Sequence, residues 1–155
     1  MLVTSVITSE QAMLELTLLN AESSEPSFDD VVVDGLARGI APEILIRMRE
    51  LWAVTKEIGS EVIQAGKIMV AKIIEFLRAN PKLTGAFAIG GAVFFLSNAI
   101  PFIGPLLAPL LATATALFSF VTTASMDEAV ETAANFFALL VAVFNAVGEH
   151  WTSSR

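Results

Sequence analysis

At 155 residues the chain has room for one domain with one or two attached segments. Its 55% hydrophobic and 16% charged residues, with a mean hydropathy of +0.71, lie on the apolar side of an ordinary soluble domain. The net charge of −7 argues against nucleic acid as a partner, and the lack of cysteine removes disulfide frameworks, zinc–thiolate sites and thiol nucleophiles.

Charge is unevenly placed. Residues 1–37 hold seven acids and no base, residues 38–82 hold eight bases against five acids, and residues 83–155 hold four acids and one base. The stretch from Leu83 to Met126 is 44 residues without Asp, Glu, Lys, Arg or His. Four segments follow from this pattern: an acidic N-terminal arm (1–38), a long amphipathic helix (39–81), a hydrophobic helical hairpin (82–125), and a C-terminal amphipathic helix with a tail (126–155).

The arm opens without a basic region and with Glu10 and Glu15 among its apolar residues, so it does not read as a secretory signal. Ser9 is the expected N-cap of a short helix over residues 9–20, and Ser27 that of a second, with Asp29 and Asp30 at the positive end of its dipole. AESSEPS between them reads as a linker. The arm is expected either to be flexible or to dock on the basic block as an oligomerisation or regulatory segment.

Pro42 suits the first turn of a helix, and no further proline occurs before Pro81, so one helix of roughly 57 Å is expected over the second segment. Its pattern repeats in elevens: Leu51, Val62 and Ile73 align, as do Trp52, Ile63 and Ile74. Leu51, Trp52, Ile58, Val62, Met69, Ile73 and Phe76 form the apolar face. That face fits self-association in a homo-oligomer or contact with a bilayer surface.

The third segment divides at NAIPFIGPLLAP into two apolar halves, Leu83–Ile100 and Pro105–Ala124, each near the length that crosses a bilayer core of roughly 30 Å. Each half has eight Leu, Ile, Val or Phe residues, worth roughly −2 to −5 kcal/mol on insertion, opposed by glycines, hydroxyls, Asn98 and prolines. Insertion is therefore marginal, and the uncharged turn crosses cheaply. Phe87, Ile89, Phe94, Phe95, Ile100, Phe102, Leu106, Leu110, Phe118 and Phe120 are the candidate lipid-contacting residues. Small residues at spacing four, Ala86/Gly90 and Ala88/Ala92, permit close helix contact.

Ser125-Met-Asp-Glu128 reads as a capping box opening a last helix that runs to about Trp151. Phe136, Leu140, Val143, Phe144 and Val147 share one face; Glu131, Asn135, Asn145 and Glu149 share the other and are candidate pore-lining residues. The same stripe fits a helix resting in the interface or packed on the long helix.

Sites for chemistry are scarce. Asp29, Asp30 and Asp34 lack the spacing of a calcium loop, and His150 has no Cys or second His to complete a metal shell. GAFAIGG matches a nucleotide-binding loop only in glycine count, and no Ser or Thr has a base beside it by sequence. The sequence points to no enzyme, no cofactor, no metal and no catalytic residue.

The fold class expected is all-α. The arrangement is similar in kind to pore-forming colicins and apoptosis-regulator helical bundles, in which amphipathic helices shield an apolar hairpin; the likeness rests on hydrophobicity over the central third of the chain, and no motif residues carry over. The first expectation is a membrane-inserting protein that homo-oligomerises and forms a pore or breaches a bilayer, as an effector, toxin-like or phage membrane-penetration protein. Its partners would be the lipid bilayer of an inner or cytoplasmic membrane and further copies of itself, with a soluble state before insertion. The alternatives are a membrane-anchored adaptor that recruits a protein partner through residues 1–38 or the long helix, and a soluble oligomeric assembly that buries the hairpin.

Overall fold

The computed structural model describes residues 8–22, 27–58, 61–81, 85–100, 103–117 and 123–147. The fold is all-α. In chain order the helices are α1 (Ser9–Glu22), α2 (Phe28–Ala37), α3 (Pro42–Trp52), α4 (Ala65–Ala79), α5 (Gly85–Ala99), α6 (Gly104–Leu117), α7 (Thr123–Phe136) and α8 (Ala138–Ala146). A two-stranded antiparallel ribbon, β1 (Lys56–Ile58) and β2 (Glu61–Ile63), sits between α3 and α4 with Glu57 opposite Val62.

The cap of α1 lies one residue earlier than expected. Thr8 Oγ1 accepts from Gln11 N at 3.1 Å and Gln11 Oε1 accepts from Thr8 N at 3.2 Å, a reciprocal box carried by the T-x-x-Q pattern. Ser27 caps α2 as expected, accepting from Asp30 N while Asp30 accepts from Ser27 N. Gly39, at φ 85, provides the left-handed residue that turns the chain from α2 toward α3.

The expected single helix over residues 39–81 is two helices. α3 ends at Trp52, and the chain reverses through the ribbon before α4 begins at Ala65. The signal in the sequence is Gly59-Ser60 between short β-rich runs (Val54-Thr55 before, Val62-Ile63 after), a dipeptide suited to a two-residue hairpin connection. An eleven-residue repeat outranks that signal in a periodicity argument, because both halves do form helices with buried stripes. The return path requires a close crossing. A Cβ on Gly66 would lie 1.6 Å from the Leu51 carbonyl oxygen, and Gly66 N donates to Val54 O at 3.0 Å.

The arm is docked. Ala12 and Leu16 are fully buried, and α1 packs on α8, α4 and β2. Asn20 clamps the ribbon's exit: its Oδ1 accepts from Gln64 N at 2.7 Å and its Nδ2 donates to Val62 O at 3.3 Å. On α2, Asp34 receives Arg38 at 3.2 Å and Arg78 of α4 at 3.1 Å, which ties the acidic arm to the basic block. Phe28 packs edge-on to Trp52, with the Arg49 guanidinium over its ring at 5.7 Å.

The last helix begins at Thr123, so Ser125 lies inside its first turn rather than at the cap. It breaks at Phe137, where α7 and α8 meet at a bend of 64°.

Candidate functional site

The uncharged stretch forms α5 and α6, joined through Ile100 and Ile103; Ile103 N and Gly104 N both donate to Ile100 O. The α5 helix lies in the middle of the molecule, against α4, α6 and α7. Ala88, Ile89, Ala92, Val93, Leu96 and Ile100 are fully buried. The closest crossing is with α7, where a Cβ on Gly91 would lie 2.7 Å from Ala129 Cβ and 2.8 Å from its carbonyl carbon. Gly91 is one residue off the small-residue pairs picked out by spacing, because the crossing point is set by where α7 lies. Ala88 and Ala92 are nevertheless buried beside it.

Three polar side chains of this stretch, among the described residues, are served by their own helices. Ser97 Oγ donates to Val93 O at 2.7 Å, Asn98 Nδ2 to Phe94 O at 2.8 Å, and Thr113 Oγ1 to Pro109 O at 3.0 Å. Such bonds to the carbonyl four residues back need no tertiary partner, so they survive transfer of the helix from protein to lipid. They lower the polar cost that the sequence sets against insertion.

The α6 helix lies at the edge of the bundle, between α5 and α3. Its inner side buries Leu107, Leu110 and Ala114, while Pro105, Ala108, Pro109, Ala112, Thr115 and Ala116 are exposed. This exposed face has no charged side chain. Pro109 stands inside the helix, where it removes a backbone N–H. A surface groove of about 450 Å³ between α6 and α3 is lined by Glu43, Ile46, Arg47, Ala112, Thr113 and Ala116, with Arg47 Nε donating to Thr113 Oγ1 at 3.3 Å.

The candidate lipid-contacting residues therefore divide. Ile89, Ile100 and Leu110 are core, Phe95 and Leu106 are half-buried, and Phe94 is 49% exposed. The side chains of Phe87, Phe102, Phe118 and Phe120 lie outside the described residues. Each half was expected to be long enough to cross a bilayer. As folded, the 15 residues of α5 and 14 of α6 reach only about 22 Å. No single helix among the described residues is long and apolar enough to cross a membrane.

The face expected to drive self-association is used within the chain itself. Leu51, Met69, Ile73 and Phe76 are buried in the core, and Trp52 is half-buried under Phe28 and Lys67. Val62 is the exception, 54% exposed on the ribbon; the side chain of Ile58 lies outside the described residues. Of the candidate pore-lining residues, Glu131 and Asn135 are exposed on α7. Asn145 is on α8, beyond the bend, and donates to Ala99 O at 3.0 Å, closing the C-terminal end of α5. The bend separates these residues onto two axes, so they form no single stripe in this fold. Glu149 lies outside the described residues.

Among the described residues no three His, Cys, Asp or Glu side chains converge as a metal site. Asp34, the most enclosed of the acidic trio, is already held by two guanidinium groups.

No protein-family model matches the chain, and comparison with curated proteins and with solved structures finds no match. The functional reading therefore rests on this geometry.

Proposed function

We propose that the chain is a membrane-inserting helical protein in a closed form, with the α5–α6 hairpin as its inserting element and pore formation or bilayer breach as its activity. The observation that carries this reading is the outer face of α6. A helix at the edge of a bundle ordinarily turns charge to solvent, and this one turns out Pro105, Ala108, Pro109, Ala112, Thr115 and Ala116. It carries no charge and one hydroxyl, Thr115, to desolvate on meeting lipid, and it leads by an uncharged turn to α5. Releasing the rest of the hairpin requires α7 and α4 to leave α5 and α3 to leave α6. Those separations would also free Phe76 and the other buried residues of α4 for assembly between copies.

Dye release from liposomes by purified protein is the direct test. Release that rises steeply with protein concentration is expected. Protein that binds vesicles but releases no dye at any concentration removes the pore-forming reading.

A second reading draws on the arm. Leu14 and Leu18 on α1, and Val33 and Leu36 on α2, are at least half exposed. These residues favour an anchored adaptor in which the hairpin only holds the membrane and the arm recruits a protein. Deleting residues 1–38 is unsuitable as a test because Ala12 and Leu16 belong to the core. Leu14→Glu with Val33→Glu is the better probe. Lost association with vesicle binding kept and dye release absent supports the adaptor; unchanged dye release supports the inserting protein.

A further inference from the structure

From Glu128 to Val147 the chain contains no proline and no glycine, yet it bends by 64° at Phe137. A sharp kink ordinarily has a local cause in proline, in Gly or Ser pairs, or in an inserted group. None stands in the break itself, which reads Asn-Phe-Phe-Ala-Leu. The cause here is tertiary. Adjacent residues on one helix point about 100° apart, and in the bent form both Phe136 and Phe137 turn to Phe76: their ring centroids lie 5.4 Å and 5.3 Å from that of Phe76, and 5.0 Å from each other. Beyond the bend, Leu140, Val143 and Phe144 are buried and α8 packs on α1, whereas α7 packs on α5. Two different docking partners and one aromatic cluster hold the bend.

We infer that the α7–α8 segment is a folded-up membrane span, which straightens into one continuous helix when it leaves Phe76, α1 and α5. Taken together, Asp127–Phe136 and Ala138–Ala146 meet the length and hydropathy needed to cross a bilayer, which no single helix among the described residues does. Straightened, residues 127–146 measure about 30 Å, the thickness of a hydrocarbon core. The run from Thr132 to Gly148 has no charge. Phe137 is already paired, donating to Ala133 O and accepting from Val141 N, each at 2.9 Å; in lipid, with no water to serve backbone groups, a continuous ladder would pair the others at the break as well. The bend is thus a device that keeps a span too short and too crooked to insert until its packing is released. This inference rests on the membrane-inserting reading above and adds a third crossing element to the hairpin.

The chain has no cysteine, so labels go only where they are placed. Spin labels at Asp127→Cys and Asn145→Cys, both exposed positions, should lie about 23 Å apart in buffer and about 27 Å apart in phosphatidylcholine–phosphatidylglycerol vesicles, from the bend and the helical rise. An environment-sensitive fluorophore at Phe94→Cys reports hairpin insertion separately. Lipid entry of the fluorophore with a lengthened distance supports the inference. Lipid entry with the distance unchanged overturns it and leaves the hairpin reading standing. A fluorophore that stays in water overturns both.

Discussion

Asn20 holds the place where the chain reverses most sharply. Its amide satisfies both the Gln64 N–H at the start of α4 and the Val62 carbonyl at the end of β2. No side chain of α4 itself caps that helix, so the cap comes from α1, 44 residues away in sequence. Asn20→Ala should lower stability by about 1–2 kcal/mol, measured by urea denaturation, because the Gln64 N–H loses a partner in a half-buried setting. Asn20→Asp keeps the acceptor and loses the donor, and should fall between the two. Nothing near Asn20 in the sequence marks it for this role, since a cap supplied over that distance leaves no local pattern. The reciprocal caps at Thr8/Gln11 and Ser27/Asp30 are legible because both partners lie within four residues.

Among the elements, α5 and α7 make a close crossing at Gly91 and Ala129. At Gly91 of α5 even a methyl group meets backbone of the facing helix. Gly91→Ala should cost about 1–3 kcal/mol by forcing α7 outward. Ala129→Gly in the same chain removes the nearer clash but leaves the carbonyl carbon at 2.8 Å, so the double variant should recover part of the loss. A thermodynamic cycle over the four proteins should show a favourable coupling of about 0.5 kcal/mol or more. Additive effects would mean that the two helices do not meet at this point. That this stretch is helical and apolar was readable from the 44 uncharged residues and the central prolines. Its central place was not, because α5 is apolar on every side and periodicity gives it no preferred neighbour.

Over the whole molecule, Phe76 links the two halves, fully buried on α4 and packed against both aromatic residues of the α7–α8 bend. Phe76→Ala should destabilise the fold by about 3–5 kcal/mol, seen as a lower denaturation midpoint. On the proposed reading it should also raise dye release at a fixed protein concentration; a destabilised protein with unchanged release would separate opening from activity. The sequence by itself determined the class of the fold, the α2 cap, and which 44 residues avoid charge, because these depend on local propensity and on composition along the chain. Tertiary structure alone decided that the apolar face of the basic middle segment is spent on the chain's own core and that the last helix bends without a breaker. Each of those outcomes is set by contacts between residues far apart in sequence, such as Gly66 on Leu51 and Phe76 on Phe137. A periodic pattern records which face of a helix is apolar, but not what that face will meet.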